Sequence, residues 1–119
     1  MKKLTTLLLA VLVTGKLLMA QTIDEARKNL YYGRTTSAKQ TLDKLIAANP
    51  KNAEAIYWLG QTQLSMDNGL AATQQLYMNA LNSGVNDPLI WVGMGHVELL
   101  QGKKDAARQR FECGLSVKG

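Results

Sequence analysis

The chain has 119 residues, 46% of them hydrophobic, with only two prolines and one cysteine. That leaves room for one modest core, excludes a disordered or proline-rich chain, and leaves Cys113 unable to form an intramolecular disulfide or a cysteine-based metal cluster. The formal net charge of +5 invites an anionic partner, but Lys2, Lys3 and Lys16 lie in the first twenty positions, where no acidic residue stands. The remainder nearly balances its charges, so nucleic acid is not expected as a partner.

Met1-Lys2-Lys3, the apolar run from Leu7 to Val13 and the small residue Ala20 before Gln21 have the layout of a secretory signal peptide over residues 1–20. The apolar run is too short to span a bilayer comfortably. Cleavage after Gly15 is the competing cut, and the leader, if uncleaved, is the one expected route to a membrane. Export follows, to the periplasm or envelope of a Gram-negative bacterium, where Met-Lys-Lys leaders are common.

From residue 21 to 119 the chain reads as one all-α domain of six short helices. Thr22-Ile23-Asp24-Glu25 has the form of a capping box at the start of the first helix, whose apolar positions Ile23, Ala26, Leu30 and Tyr31 run to Gly33. The second carries Ala38, Leu42, Leu45 and Ile46 and ends at Asn49-Pro50. Asn52 caps the third, over Ala53–Met66, with Ile56, Leu59, Gly60 and either Gln63 or Leu64 facing inward. Asp67-Asn68-Gly69 is turn chemistry. The fourth helix, over Leu70–Ala80, is expected to bury Ala72, Leu76 and Ala80 and to end at Asn82-Ser83-Gly84. Asp87-Pro88 opens the fifth with an N-cap and a proline at the first helical position. Trp91, Met94 and Gly95 form its face, Gly102 ends it, and Ala107, Phe111 and Leu115 stripe the sixth.

These helices pair into three hairpins, over residues 22–50, 52–84 and 87–117, that share a pattern. Ala38, Ala72 and Ala107 recur at intervals of 34 and 35, each followed four residues later by a large apolar residue, Leu42, Leu76 or Phe111, and Gly60 and Gly95 also lie 35 apart. A small residue on one helix lets its neighbour approach closely, and the large residue one turn later fills the space beside it. With Ile56, Leu59-Gly60, Ala72 and Leu76 in the middle unit, Trp91, Met94-Gly95, Ala107 and Phe111 in the last, and Ala38, Leu42 and Pro50 in the first, the sequence resembles a tetratricopeptide repeat array of the exported bacterial type. The likeness covers roughly residues 22 to 117. It departs from the pattern in the first helix, in an extra residue between Ala72 and Gly95, in Gly84 where a closing proline is usual, and in the lack of a further polar helix after the third pair.

The resemblance implies a right-handed superhelical stack whose concave groove, lined by the first helix of each pair, binds a peptide or partner protein. Position by position it offers Arg27, Tyr31, Glu54, Tyr57, Gln61, Val92 and His96 as groove residues. Ile23, Tyr57 and Val92 stand where a carboxylate clamp would carry lysine, which disfavours recognition of a C-terminal carboxylate. His96 and Glu98 point apart on a helix and do not make a ligand pair. With no phosphate loop, nucleophile elbow or paired carboxylates, no catalytic residue, metal or cofactor is expected. The chain reads as a non-catalytic protein-interaction scaffold. The rival readings are the first segment of a longer array, stacking on further repeats or on itself, and an RNA-binding helical repeat.

Overall fold

The computed structural model describes residues 22–117; the expected signal peptide and both of its cut sites lie outside the described residues. Among the described residues the regular structure is six helices and no strand. They are α1 (residues 22–31), α2 (Thr35–Ala48), α3 (Ala53–Leu64), α4 (Gly69–Asn82), α5 (Pro88–Leu100) and α6 (Lys104–Ser116). None of these helices is long and apolar enough to cross a membrane.

Local chemistry accounts for most of the boundaries. The Asn52 side chain accepts from the Ala55 amide at 3.2 Å, and Asp87 accepts from the Leu89 amide at 2.9 Å with Pro88 at the first helical position. Each cap satisfies an amide that the helix leaves without an internal partner. Thr22, expected as the cap of the first helix, is itself helical. The turns inside the three hairpins each carry one residue in the left-handed region, Gly33 at φ 77°, Asn68 at φ 59° and Gly102 at φ 79°. That conformation costs glycine nothing and asparagine little.

Consecutive helices pack on one another from α2 to α6, and α3 also touches α5. The core falls into two clusters. Ile23 and Ala26 of α1, Leu42 and Leu45 of α2, and Ala55 and Leu59 of α3 make the first. Ile56 of α3, Tyr77 and Ala80 of α4, Val85, and Ile90, Met94 and Val97 of α5 make the second, with Ile46, Leu76 and Leu81 packed against it. Ile46 and Leu76 touch both clusters and so join them.

Two hairpins repeat one contact, and the first has buried residues of one cluster at the equivalent positions. Ala26 and Leu42 are both buried, the hydrogen-for-methyl space at Gly60 is filled by the Tyr77 ring, and that at Gly95 by the Phe111 ring. Tyr77 is fully buried between Gly60 and Gly93, and its hydroxyl donates to the Tyr57 carbonyl at 2.8 Å. Burial pushes the phenol well above its ordinary ionisation range, the nearby Gln61 amide opposing.

The expected register of the fourth helix is corrected by one residue. Ala72 is exposed and Leu76 half-buried, while Thr73 and Tyr77 take the buried places. The cause is the position of the extra residue. Twelve residues separate Ala26 from Ala38 and Gly95 from Ala107, but thirteen separate Gly60 from Thr73, so the insertion lies in the α3–α4 connection and not after Ala72. Thr73 is tolerated in the core because its hydroxyl donates to the Gly69 carbonyl at 2.7 Å. A second correction concerns α6: Leu115, expected on its buried stripe, is 87% exposed.

Candidate functional site

The first helices of the three hairpins, α1, α3 and α5, carry the residues expected to line a groove. Two of them, Arg27 and Tyr57, come together with Trp58, which is not among those expected residues. The Arg27 guanidinium lies 4.8 Å from the centre of the Trp58 ring and 3.8 Å from Asp24. Trp58 meets Tyr57 edge to face, with ring centres 5.2 Å apart. Arg27 and Trp58 are 31 residues apart in the chain, so only the packing of α1 against α3 reveals the pair.

Around them opens a concave pocket lined, among the described residues, by Asp24, Arg27, Lys28, Leu30, Tyr31, Tyr32 and Trp58. Tyr31 and Tyr32 are 84% and 70% exposed and stand edge to face, 5.2 Å between centres. These two rings present large apolar area to solvent, beside a Trp58 ring that touches both Tyr57 and the Arg27 guanidinium. The guanidinium adds directional donors beside them.

The other expected groove residues divide. Gln61 and His96 are spent on each other across α3 and α5, with Gln61 Nε2 3.3 Å from His96 Nδ1. An amide nitrogen can only donate, so the imidazole Nδ1 accepts in this arrangement. Both side chains are half-buried, and they serve as an interhelix tie. Glu54 is exposed in the first turn of α3, and Val92 is 40% exposed on α5.

A second polar group sits between the last helices. Glu98, 5% exposed, accepts from Arg110 Nε at 2.8 Å through one carboxylate oxygen, and the same guanidinium lies 6.0 Å from the centre of the Trp91 ring. Gln101 Nε2 donates to Gln74 Oε1 at 3.1 Å. Glu98 Oε2 and Gln101 Oε1 are buried acceptors without a donor among the described residues. Among those residues no three His, Cys, Asp or Glu side chains gather in a way that could hold a metal, and Cys113 is exposed on α6.

The described chain is thus an all-helical protein of three similarly built hairpins with an aromatic and cationic pocket at its first interhairpin contact. No family model matches it. Over 107 residues, 89% of its length, it is 29% identical to the PsbB mRNA maturation factor Mbb1, chloroplastic, of Chlamydomonas reinhardtii, and it spans 16% of the length of that protein.

Proposed function

We propose that this chain is a non-catalytic adaptor: its hairpins build a right-handed superhelical array of tetratricopeptide type, and the wall made by α1, α3 and α5 captures an extended segment of another polypeptide. The observation that carries the reading is the Arg27–Trp58 contact with exposed Tyr31 and Tyr32 around one pocket. A segment laid there meets rings held in place before it arrives, so less freedom is lost on docking. A small residue facing a large one at Gly60–Tyr77 and Gly95–Phe111, with Ala26 and Leu42 buried in one cluster at the equivalent positions, supports the array. Export to a bacterial envelope belongs to the same proposal and rests on the leader sequence; N-terminal sequencing of the mature protein tests it.

Crosslinking in the native cell, followed by identification of the captured polypeptide, tests the binding. Trp58→Ala and Arg27→Ala are expected to reduce capture while the thermal melt stays near that of the parent chain. Equal capture by both variants removes the pocket from the account.

A second reading is favoured by one observation, the similarity to a protein named as an mRNA maturation factor. In that case the exposed tyrosines stack on bases, and the lysines and arginines of α1 and α6 meet phosphates. Retention of RNA with an affinity that falls steeply with salt supports it, because each phosphate contact adds to the slope. Capture that survives ribonuclease treatment and is flat in salt supports the polypeptide instead.

A further inference from the structure

The cations of the pocket stand in the first hairpin and are not repeated in the others. Arg27, Gln61 and His96 occupy one register position on α1, α3 and α5, at intervals of 34 and 35 residues, and Lys28, Thr62 and Val97 occupy the next. Gln61 and His96 are committed to each other, and Thr62 and Val97 are fully buried. Only on α1, therefore, do these two positions present exposed cations, and both of them line the pocket.

Neither cation is consumed by the protein. Asp24 approaches the Arg27 guanidinium to 3.8 Å, beyond hydrogen-bond reach, and the two side chains are 71% and 50% exposed. Lys28 has no carboxylate partner among the described residues. The guanidinium lies over the Trp58 ring, an arrangement that leaves its N–H edge free for a planar acceptor with two oxygens. With Asp24 as its one acidic side chain against Arg27 and Lys28, the pocket is net positive. Its complement is an anionic group attached to something apolar.

The single occurrence of the cation pair decides between ligands. A nucleic-acid strand brings a phosphate with every nucleotide and gains from a cationic track. This wall offers one place for an anion and then turns apolar, with Tyr57 on α3 and Val92 on α5 in register, 35 residues apart, the first half-buried and the second 40% exposed.

We propose that the pocket recognises one acidic side chain, an aspartate or glutamate within a polypeptide segment, its carboxylate on Arg27 and Lys28 and its apolar neighbours along α3 and α5. This rests on the polypeptide reading of the pocket and narrows it. Packed helices lie about 8–10 Å apart, and an extended chain advances about 3.3 Å per residue. The step from α1 to α3, which share a core cluster, thus spans about three residues. An apolar side chain three positions from the acidic one meets the α3 wall.

The probe is a library of random twelve-residue segments, each displayed between folded flanks so that no terminal carboxylate is offered, and selected on the full chain. Enrichment of an aspartate or glutamate with an apolar residue three positions away is expected. A selected peptide, labelled and followed by anisotropy, should bind about tenfold more weakly, or worse, when its acidic residue becomes the amide; Arg27→Gln should cost as much, the ratio that a charge-assisted hydrogen bond sets. Lys28→Gln, which leaves the contact with Trp58 alone, should weaken binding in the same direction. Arg27 and Lys28 are exposed, so both variants are expected to fold, and circular dichroism verifies it. Segments that enrich without an acidic residue, or an acidic preference that neither variant reduces, overturn this proposal and leave polypeptide capture standing. No enrichment at all overturns both readings, and a single-stranded oligoribonucleotide that then binds with a steep salt dependence assigns the pocket to nucleic acid.

Discussion

The close fit of Tyr77 against Gly60 predicts a stability change whose sign depends on its partner. A methyl group at residue 60 would overlap Tyr77 Oη and Cζ. The ring has nowhere to go, because its other side lies against Gly93, where a Cβ would fall 2.6 Å from Cε2, and its hydroxyl is held by the Tyr57 carbonyl. Overpacking of this kind costs about 1–3 kcal/mol, while replacing a mid-helix glycine by alanine returns about 1 kcal/mol. Gly60→Ala is therefore expected to lower stability by up to about 2 kcal/mol, or up to roughly 10 °C in Tm for a chain of this size. The first hairpin suggests the remedy, since Ala26 and Leu42 stand at the equivalent positions and are buried in one cluster. Tyr77→Leu alone costs about 3 kcal/mol through the cavity it leaves, but in that background Gly60→Ala becomes neutral or stabilising. Urea unfolding of the four proteins closes the cycle, with an expected coupling of about 2 kcal/mol. Additivity to within about 0.5 kcal/mol would refute the packing rule.

Other expectations follow from single groups. Because burial raises the Tyr77 phenol above its ordinary value of 10.0, the unfolded chain ionises first as pH rises. The stability gained by keeping it neutral is complete below pH 10 and declines above it at about 1.4 kcal/mol per pH unit. Tyr77→Phe should lose about 1 kcal/mol at neutral pH with its hydrogen bond and show a shallower alkaline limb in unfolding titrations; an unchanged limb would mean that another group controls it. Asn68→Ala should cost about 1 kcal/mol, since alanine pays the steric penalty of a left-handed backbone, whereas Asn68→Gly should stay within about 0.5 kcal/mol of the parent in thermal melts. Arg110→Ala leaves the Glu98 carboxylate without its donor. The loss is expected near 2 kcal/mol, below that of a fully buried pair because the arginine side chain is 37% exposed, and Glu98→Gln in the same chain should recover part of it. A melt unchanged by Arg110→Ala would show that Glu98 finds water instead.

The sequence made the helices legible wherever chemistry marks an end: Asn52 and Asp87-Pro88 are caps by type and position, and both function as such. Ala38–Leu42 and Ala107–Phe111 were legible because a small residue is followed by a large one at one turn's spacing. The fourth helix was misread for the same reason. Ala72 satisfies the small-residue pattern better by type than Thr73, and nothing in residue type reveals that threonine hides its hydroxyl on the Gly69 carbonyl. A signal was nonetheless present, since Gly33 and Gly102 precede Ala38 and Ala107 by five residues, and Asn68 precedes Thr73 by the same count. Of the pocket, Arg27 and Tyr31 could be placed by helix position, but Trp58 could not, because a tryptophan at helical spacing is more often filler than floor. Gln61 and His96 were placed on the right helices without their mutual bond being visible, since it joins residues 35 apart.

The left-handed residues at positions 33, 68 and 102 do more than reverse the chain. Because each stands five residues ahead of the small side chain that seats the next helix, the downstream element takes its rotational phase from the hinge and not from whatever length of chain came before. The surplus residue of the middle hairpin is absorbed ahead of Asn68, and α4 still aims Thr73 and Tyr77 at the core. Each hinge is a clutch: an indel upstream of it slips without turning the helix beyond, whereas the same change in the five residues after it would swing every side chain of that helix by about 100°.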